Sequence, residues 1–167
     1  GAIYTKDLTE SEVASATKYF LNKWFKQVKS GEYAFEKLTV ANGATLDLDG
    51  RTVAATGLGG EGTVKAAGIN LGANATLELD ADASGVGKTT VTGALTLPAV
   101  CTVSFNGVPP KQGASYTILE AGSLTGDVTG WTIDTTNLPA RRTASVRKVG
   151  NTVVLTISSP GLFLVVQ

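Results

Sequence analysis

A chain of 167 residues, 43% of them hydrophobic and 20 of them glycine, is long enough to bury one substantial core, while 17% charged residues is sparse for a solvated helical protein and usual for turn-rich β structure. Its 14 basic and 14 acidic side chains cancel, which excludes a whole-chain field toward nucleic acid or an anionic membrane. The absence of histidine excludes His-based triads, His-ligated zinc and imidazole bases, and a single cysteine, Cys101, excludes an intrachain disulfide. No apolar run reaches the length of a membrane-spanning helix, and Gly1-Ala2-Ile3-Tyr4-Thr5-Lys6 lacks a signal peptide's apolar core; the chain starts without a methionine and contains none, so a processed or truncated chain is expected.

The first segment has helical grammar. Thr9-Glu10-Ser11-Glu12 is a capping box, in which the Thr9 hydroxyl accepts from the Glu12 N–H and the Glu12 carboxylate reaches back to the Thr9 N–H. From it Val13, Thr17, Phe20, Leu21, Trp24, Phe25 and Val28 recur at steps of three and four, with Lys18, Lys23, Lys26 and Lys29 toward the other side and Ser30-Gly31 as a stop. This predicts an N-terminal amphipathic helix. Its apolar face has three candidate partners: the open end of a β stack, another chain, or a membrane surface. Capping the stack is the reading adopted, with residues 1–37 as the cap.

From Tyr33 the hydrophobic period changes to two. Ala44-Thr45-Leu46-Asp47-Leu48-Asp49-Gly50 returns as Ala75-Thr76-Leu77-Glu78-Leu79-Asp80 and again as Cys101-Thr102-Val103-Ser104-Phe105-Asn106-Gly107. Leu38-Thr39-Val40, Ile69-Asn70-Leu71 and Leu95-Thr96-Leu97 precede the three copies. Between the first two copies lie Thr52-Val53-Ala54, a glycine cluster from Gly57 to Gly62, and Thr63-Val64-Lys65. The repetition predicts an all-β solenoid over residues 38–167. In it Leu46, Leu48, Leu77, Leu79, Val103 and Phe105 enter one core and the residues between them face out.

Beyond Gly107-Val108-Pro109-Pro110 the solenoid is expected to be less regular. Ser115–Leu119 and Trp131–Ile133 read as strands, and the segments flanking Gly150-Asn151 read as a tight hairpin. Leu162-Phe163-Leu164-Val165-Val166 is apolar on both faces and needs cover on both sides, or an interface.

Val40-Ala41-Asn42-Gly43-Ala44-Thr45-Leu46-Asp47-Leu48-Asp49-Gly50, with Thr52-Val53 and then Gly57-Leu58-Gly59-Gly60-Glu61-Gly62-Thr63-Val64, resembles the repeat of autotransporter-associated β-strand proteins. The tail from Tyr116 to Gln167 is similar to the ends of such bacterial surface passengers. The resemblance covers about residues 38–167 and leaves the helix outside. It implies a right-handed parallel β-helix, secreted or displayed at the cell surface.

Motifs with chemical meaning are few. Ser84-Gly85-Val86-Gly87-Lys88-Thr89-Thr90 imitates a phosphate-binding loop, but Asp82 stands where its first glycine belongs, and a β-branched, glycine-containing stretch follows instead of a helix. Gly59-Gly60-Glu61-Gly62-Thr63-Val64 resembles a calcium-binding nonapeptide with valine at the aspartate position. Cys101 has an apolar surround and no activating base. The acidic set Asp47, Asp49, Glu78, Asp80 and Asp82 is expected to solubilise an outward face. Alternation would set Asp47 and Asp49 about 6.6 Å apart along one strand, a spacing compatible with a carboxylate pair. Asp47, Asp49, Glu78, Asp80, Arg141 and Arg142 are the candidate ligand-facing residues. No catalytic residue, metal site or cofactor is expected. The reading is a non-enzymatic surface scaffold adhesive to extended glycans or to another cell-surface protein, without nucleic acid, with self-association through the helix or the C-terminal strand. A polysaccharide-active β-helix enzyme and a β-sandwich carbohydrate-binding module are the alternatives.

Overall fold

The computed structural model describes residues 33–109 and 114–158; the expected helix and the apolar run Leu162–Val166 lie outside them. The chain divides into two compact units, Gly1–Ala34 and Phe35–Gln167, and the architecture below is that of the second. Every regular element among the described residues is a strand: β1 Tyr33–Phe35, β2 Leu38–Val40, β3 Thr45–Asp47, β4 Thr52–Gly60, β5 Thr63–Lys65, β6 Gly68–Ala81, β7 Thr89–Thr96, β8 Cys101–Gly107, β9 Ala114–Thr125, β10 Trp131–Ile133, β11 Thr143–Val149 and β12 Thr152–Ser158. Tyr33–Phe35, inside the segment 1–37 expected as the cap, is a strand.

The twelve strands form one mostly parallel sheet, and its pairings resolve into three ladders. The first joins β2 to the end of β4, then to Ala75–Ala81 of β6, β8 and β10. The second joins β3, β5, the start of β7 and the middle of β9. The third joins the starts of β4 and β6 to the ends of β7 and β9. Strands β4, β6, β7 and β9 each pass from one ladder to the next, and the register shifts between Ala55 and Gly57 and between Val91 and Ala94 mark two of these passages. Bulges of this kind bend a strand while keeping both halves paired.

Parallel register puts like positions above one another, and the interior follows from that. Leu38, Leu58, Leu77, Val103 and Ile133 form one column; Val53, Ile69, Leu95 and Leu124 form another; Leu46, Val64, Val91 and Ala121 a third. Leu58, Ile69, Leu77, Leu95 and Val103 are fully buried. Alternation within strands supplies the pattern, with Leu77, Leu79, Val103 and Phe105 buried as expected.

The repeat register differs from the one legible in the sequence. Leu46 pairs with Val64, not with the column of Leu77, and the first ladder advances by 20, 19, 26 and 30 residues (58 − 38, 77 − 58, 103 − 77, 133 − 103). The glycine cluster is part of a paired strand: Gly57, Leu58, Gly59 and Gly60 end β4, Leu58–Gly60 pairing β2 on one side and Gly57–Gly59 pairing β6 on the other. A whole level of the stack therefore lies between the first two sequence copies. Leu46 and Leu48 are only half-buried, which corrects their placement in the full core; β3 has a ladder partner on one side only among the described residues.

At the far end the pairing turns antiparallel, β9 to β12 to β11. The two-residue loop Gly150-Asn151 closes the β11–β12 hairpin with Gly150 at φ 58°, a value that suits glycine, and Val153, Leu155 and Ile157 are buried beneath.

Candidate functional site

The candidate acidic residues fall on two ladders. Asp47 ends β3, and its Oδ2 accepts from Lys65 Nζ at 2.9 Å across the β3–β5 pair, while its Oδ1 accepts from the Asp49 N–H at 2.9 Å. Asp49 is not the next outward residue of an extended strand. It lies at φ 53° beside Gly50 at φ 63°, and the Arg51 N–H donates to the Leu48 carbonyl at 3.1 Å, a tight turn with both central residues left-handed. The expected 6.6 Å carboxylate pair is therefore absent, because the strand stops at Asp47. Glu78 and Asp80 face outward from β6 on the first ladder: Glu78 pairs with Lys37 at 2.9 Å, and Asp80 accepts from Asn106 Nδ2 at 2.8 Å, one strand over in register. Arg141, at φ 62°, and the half-buried Arg142 precede β11, and the Arg142 N–H donates to the Pro139 carbonyl.

A second set of aspartates builds turns. Asp82, Asp127 and Asp134 each accept, through Oδ1, both the N–H and the hydroxyl of the residue two positions on: Ser84, Thr129 and Thr136. Those bonds hold the three carboxyls below the ordinary carboxylate range, as the Lys65 ammonium and then the Asp49 N–H do for Asp47. A general acid needs the opposite shift. Depressed carboxyls contribute stability that is fully present above their unfolded value of about 3.9 and is lost as pH falls through the lower folded values. The urea midpoint is thus expected to be flat from pH 7 to 5 and to drop below about pH 4. Asp127→Ala and Asp134→Ala should each shallow that drop.

The phosphate-loop imitation is a turn on a strand. Asp82 organises Ser84-Gly85, Ala81 bridges Val86, Lys88 pairs with Glu120, and the buried Thr89 hydroxyl donates to the Gly60 carbonyl at 2.8 Å. Thr89–Thr96 is β7 and no helix follows, so the N-terminal dipole that phosphate requires is missing. Cys101 is buried in β8, and loss of water pushes its thiol up to about 12, which leaves it an inert core side chain. No cluster of three or more potential metal ligands occurs among the described residues. No helix among them is long and apolar enough to cross a membrane.

Sequence reasoning missed two features. The partners Lys37 and Lys88 are far in sequence from Glu78 and Glu120, and only ladder pairing brings them together. The other is a groove of about 550 Å³ between the region of β10 and the edge of β11, lined by Val128, Trp131, Ile133, Ala144 and Val146 among others. The Trp131 indole N–H donates to the Pro98 carbonyl at 3.0 Å, and Lys148 Nζ donates to the carbonyls of Leu124 and Gly126.

The described residues form an all-β, mostly parallel sheet whose outward polar residues bond one another from strand to strand. Comparison with models of known protein families, with curated proteins and with solved structures finds no match to this chain.

Proposed function

We propose that the three ladders are the faces of a right-handed parallel β-helix, and that the chain is a non-enzymatic, secreted or cell-surface module that displays its outer rows to extended glycans. The observation that carries this reading is the in-register stacking of outward polar side chains. Thr76, Thr102 and Thr132 share one row, Asp80 and Asn106 another, and Thr96 and Thr125 a third, with hydroxyls 3.4 Å apart for Thr102–Thr132 and 3.3 Å for Thr96–Thr125. Strands in a ladder repeat every 4.7–4.9 Å or so, so each row offers a polymer the same weak contact several times, and summed affinity grows with ligand length. The residues that resemble the autotransporter-associated repeat support the cell-surface assignment.

Oligosaccharide ladders tested by calorimetry are the direct check. Binding is expected to be immeasurable for mono- and disaccharides, to rise with chain length, and to weaken on Thr102→Val. Tight capture of one small sugar, or release of new reducing ends from a polysaccharide panel, would replace the scaffold reading with a pocket binder or an enzyme.

A further inference from the structure

We propose that Asn42-Gly43, in the turn between β2 and β3, is a self-modifying site where the Asn42 carboxamide is converted to aspartate or isoaspartate, while the chain's second Asn-Gly, Asn106-Gly107, is protected by its ladder. In both dipeptides the following residue has no side chain to keep its nitrogen from the carboxamide carbon. The Gly43 nitrogen gives its proton to hydroxide and attacks Asn42 Cγ; the N–Cγ bond forms, the Cγ–Nδ2 bond breaks, and the nitrogen leaves as ammonia after taking a proton from water. Water then opens the cyclic imide at either carbonyl. The sum is carboxamide plus water to carboxylate plus ammonium, with no change of oxidation state, and the chain gains a negative charge.

Local structure separates the two dipeptides. Asn42 and Gly43 are exposed and form the centre of a turn in which the Ala44 N–H donates to the Ala41 carbonyl at 3.0 Å and Gly43 lies at φ 74°. Among the described residues neither the Asn42 carboxamide nor the Gly43 N–H has a hydrogen-bond partner, and nothing lies within 4 Å of the place a Gly43 Cβ would take. The carboxamide and the nitrogen it must meet are therefore both unhindered. Asn106 is placed otherwise: its Nδ2 donates to Asp80 Oδ1 at 2.8 Å, and Asn106 and Gly107 pair in register with Asp80 and Ala81 of β6. A Cβ at Gly107 would collide with the Ala81 carbonyl oxygen, so the two strands are in close contact there. Attack at Asn106 first requires breaking the Asp80 bond and opening the end of β8. The product at Asn42 bears on the fold as well. The Gly62 and Thr63 N–H groups donate to the Val40 and Ala44 carbonyls flanking the turn, each at 2.9 Å, and isoaspartate would insert a methylene into the main chain between those anchors.

The test follows the full chain in mildly alkaline buffer, folded and in urea, by ion exchange and tryptic mapping. Cleavage at Lys37 and Arg51, and at Lys88 and Lys111, releases each dipeptide in a peptide with no other asparagine. In urea the two sites are expected to react at similar rates. In the folded protein Asn42 should keep a rate within about threefold of its urea value, while Asn106 should be slowed at least about tenfold by the need to open the ladder. Asn42→Ala should remove the acidic species that forms first, and Asp80→Ala should speed the reaction at Asn106 in the folded protein. Equal folded-state rates at the two sites, or an early acidic species that survives Asn42→Ala, would overturn the proposal. An Asn106 rate unmoved by Asp80→Ala would overturn its protection by that bond.

Discussion

Leu77→Ala is expected to destabilise the protein by about 2–5 kcal/mol, read as a fall in the urea midpoint, because it empties the middle of the longest apolar column. Leu77 is 1% exposed and stacks between Leu58 and Val103 in parallel register, so strands on both sides hold the backbone and little collapse into the void is available. Leu46→Ala, at the equivalent place in the first sequence copy, should cost less than half as much. That leucine is half-buried on a strand with a partner on one side only among the described residues. Glu78→Ala, between two core leucines, removes only a surface pair with Lys37 and should stay within about 1 kcal/mol. Equal losses at Leu46 and Leu77 would show that the ladders are wrongly registered.

Gly60→Ala should be of similar size, on the order of 3 kcal/mol, for a different reason. Gly60 lies at φ 80°, and a Cβ there would stand 2.2 Å from the Val40 carbonyl oxygen. The residue must therefore be both left-handed and without a side chain where the end of β4 approaches β2. Gly43 separates the two terms: it has φ 74° but nothing within 4 Å of an added Cβ. Gly43→Ala should cost only the backbone strain, about 1–2 kcal/mol. Thermal unfolding of the two variants side by side tests this, and a Gly60→Ala protein as stable as Gly43→Ala would refute the close approach.

Much of the architecture was legible in the residues alone, for a physical reason. Period-two alternation is local, so Leu77-Glu78-Leu79 and Val103-Ser104-Phe105 announce which side chains are buried before any partner is known. The 26-residue offset from Leu77 to Val103 also holds from Ile69 to Leu95, and both pairs are ladder neighbours. The hairpin at Gly150-Asn151 was equally local. What the tertiary structure decided is what alternation cannot encode. Glycine has no side chain to mark a face, so Gly57-Leu58-Gly59-Gly60 reads as a break although it is a paired strand around a fully buried leucine, and the level it contributes was hidden. The acidic candidates share a sequence pattern, yet Asp47 is placed by Lys65, Asp49 by a left-handed turn, Glu78 by Lys37 and Asp80 by Asn106. The β10–β11 groove draws on segments 11 or more residues apart in sequence at its nearest named side chains (144 − 133 = 11), brought together only when parallel pairing ends and antiparallel pairing begins. Register between strands is a long-range property, set by which columns pack, and no single stretch of this chain contains it.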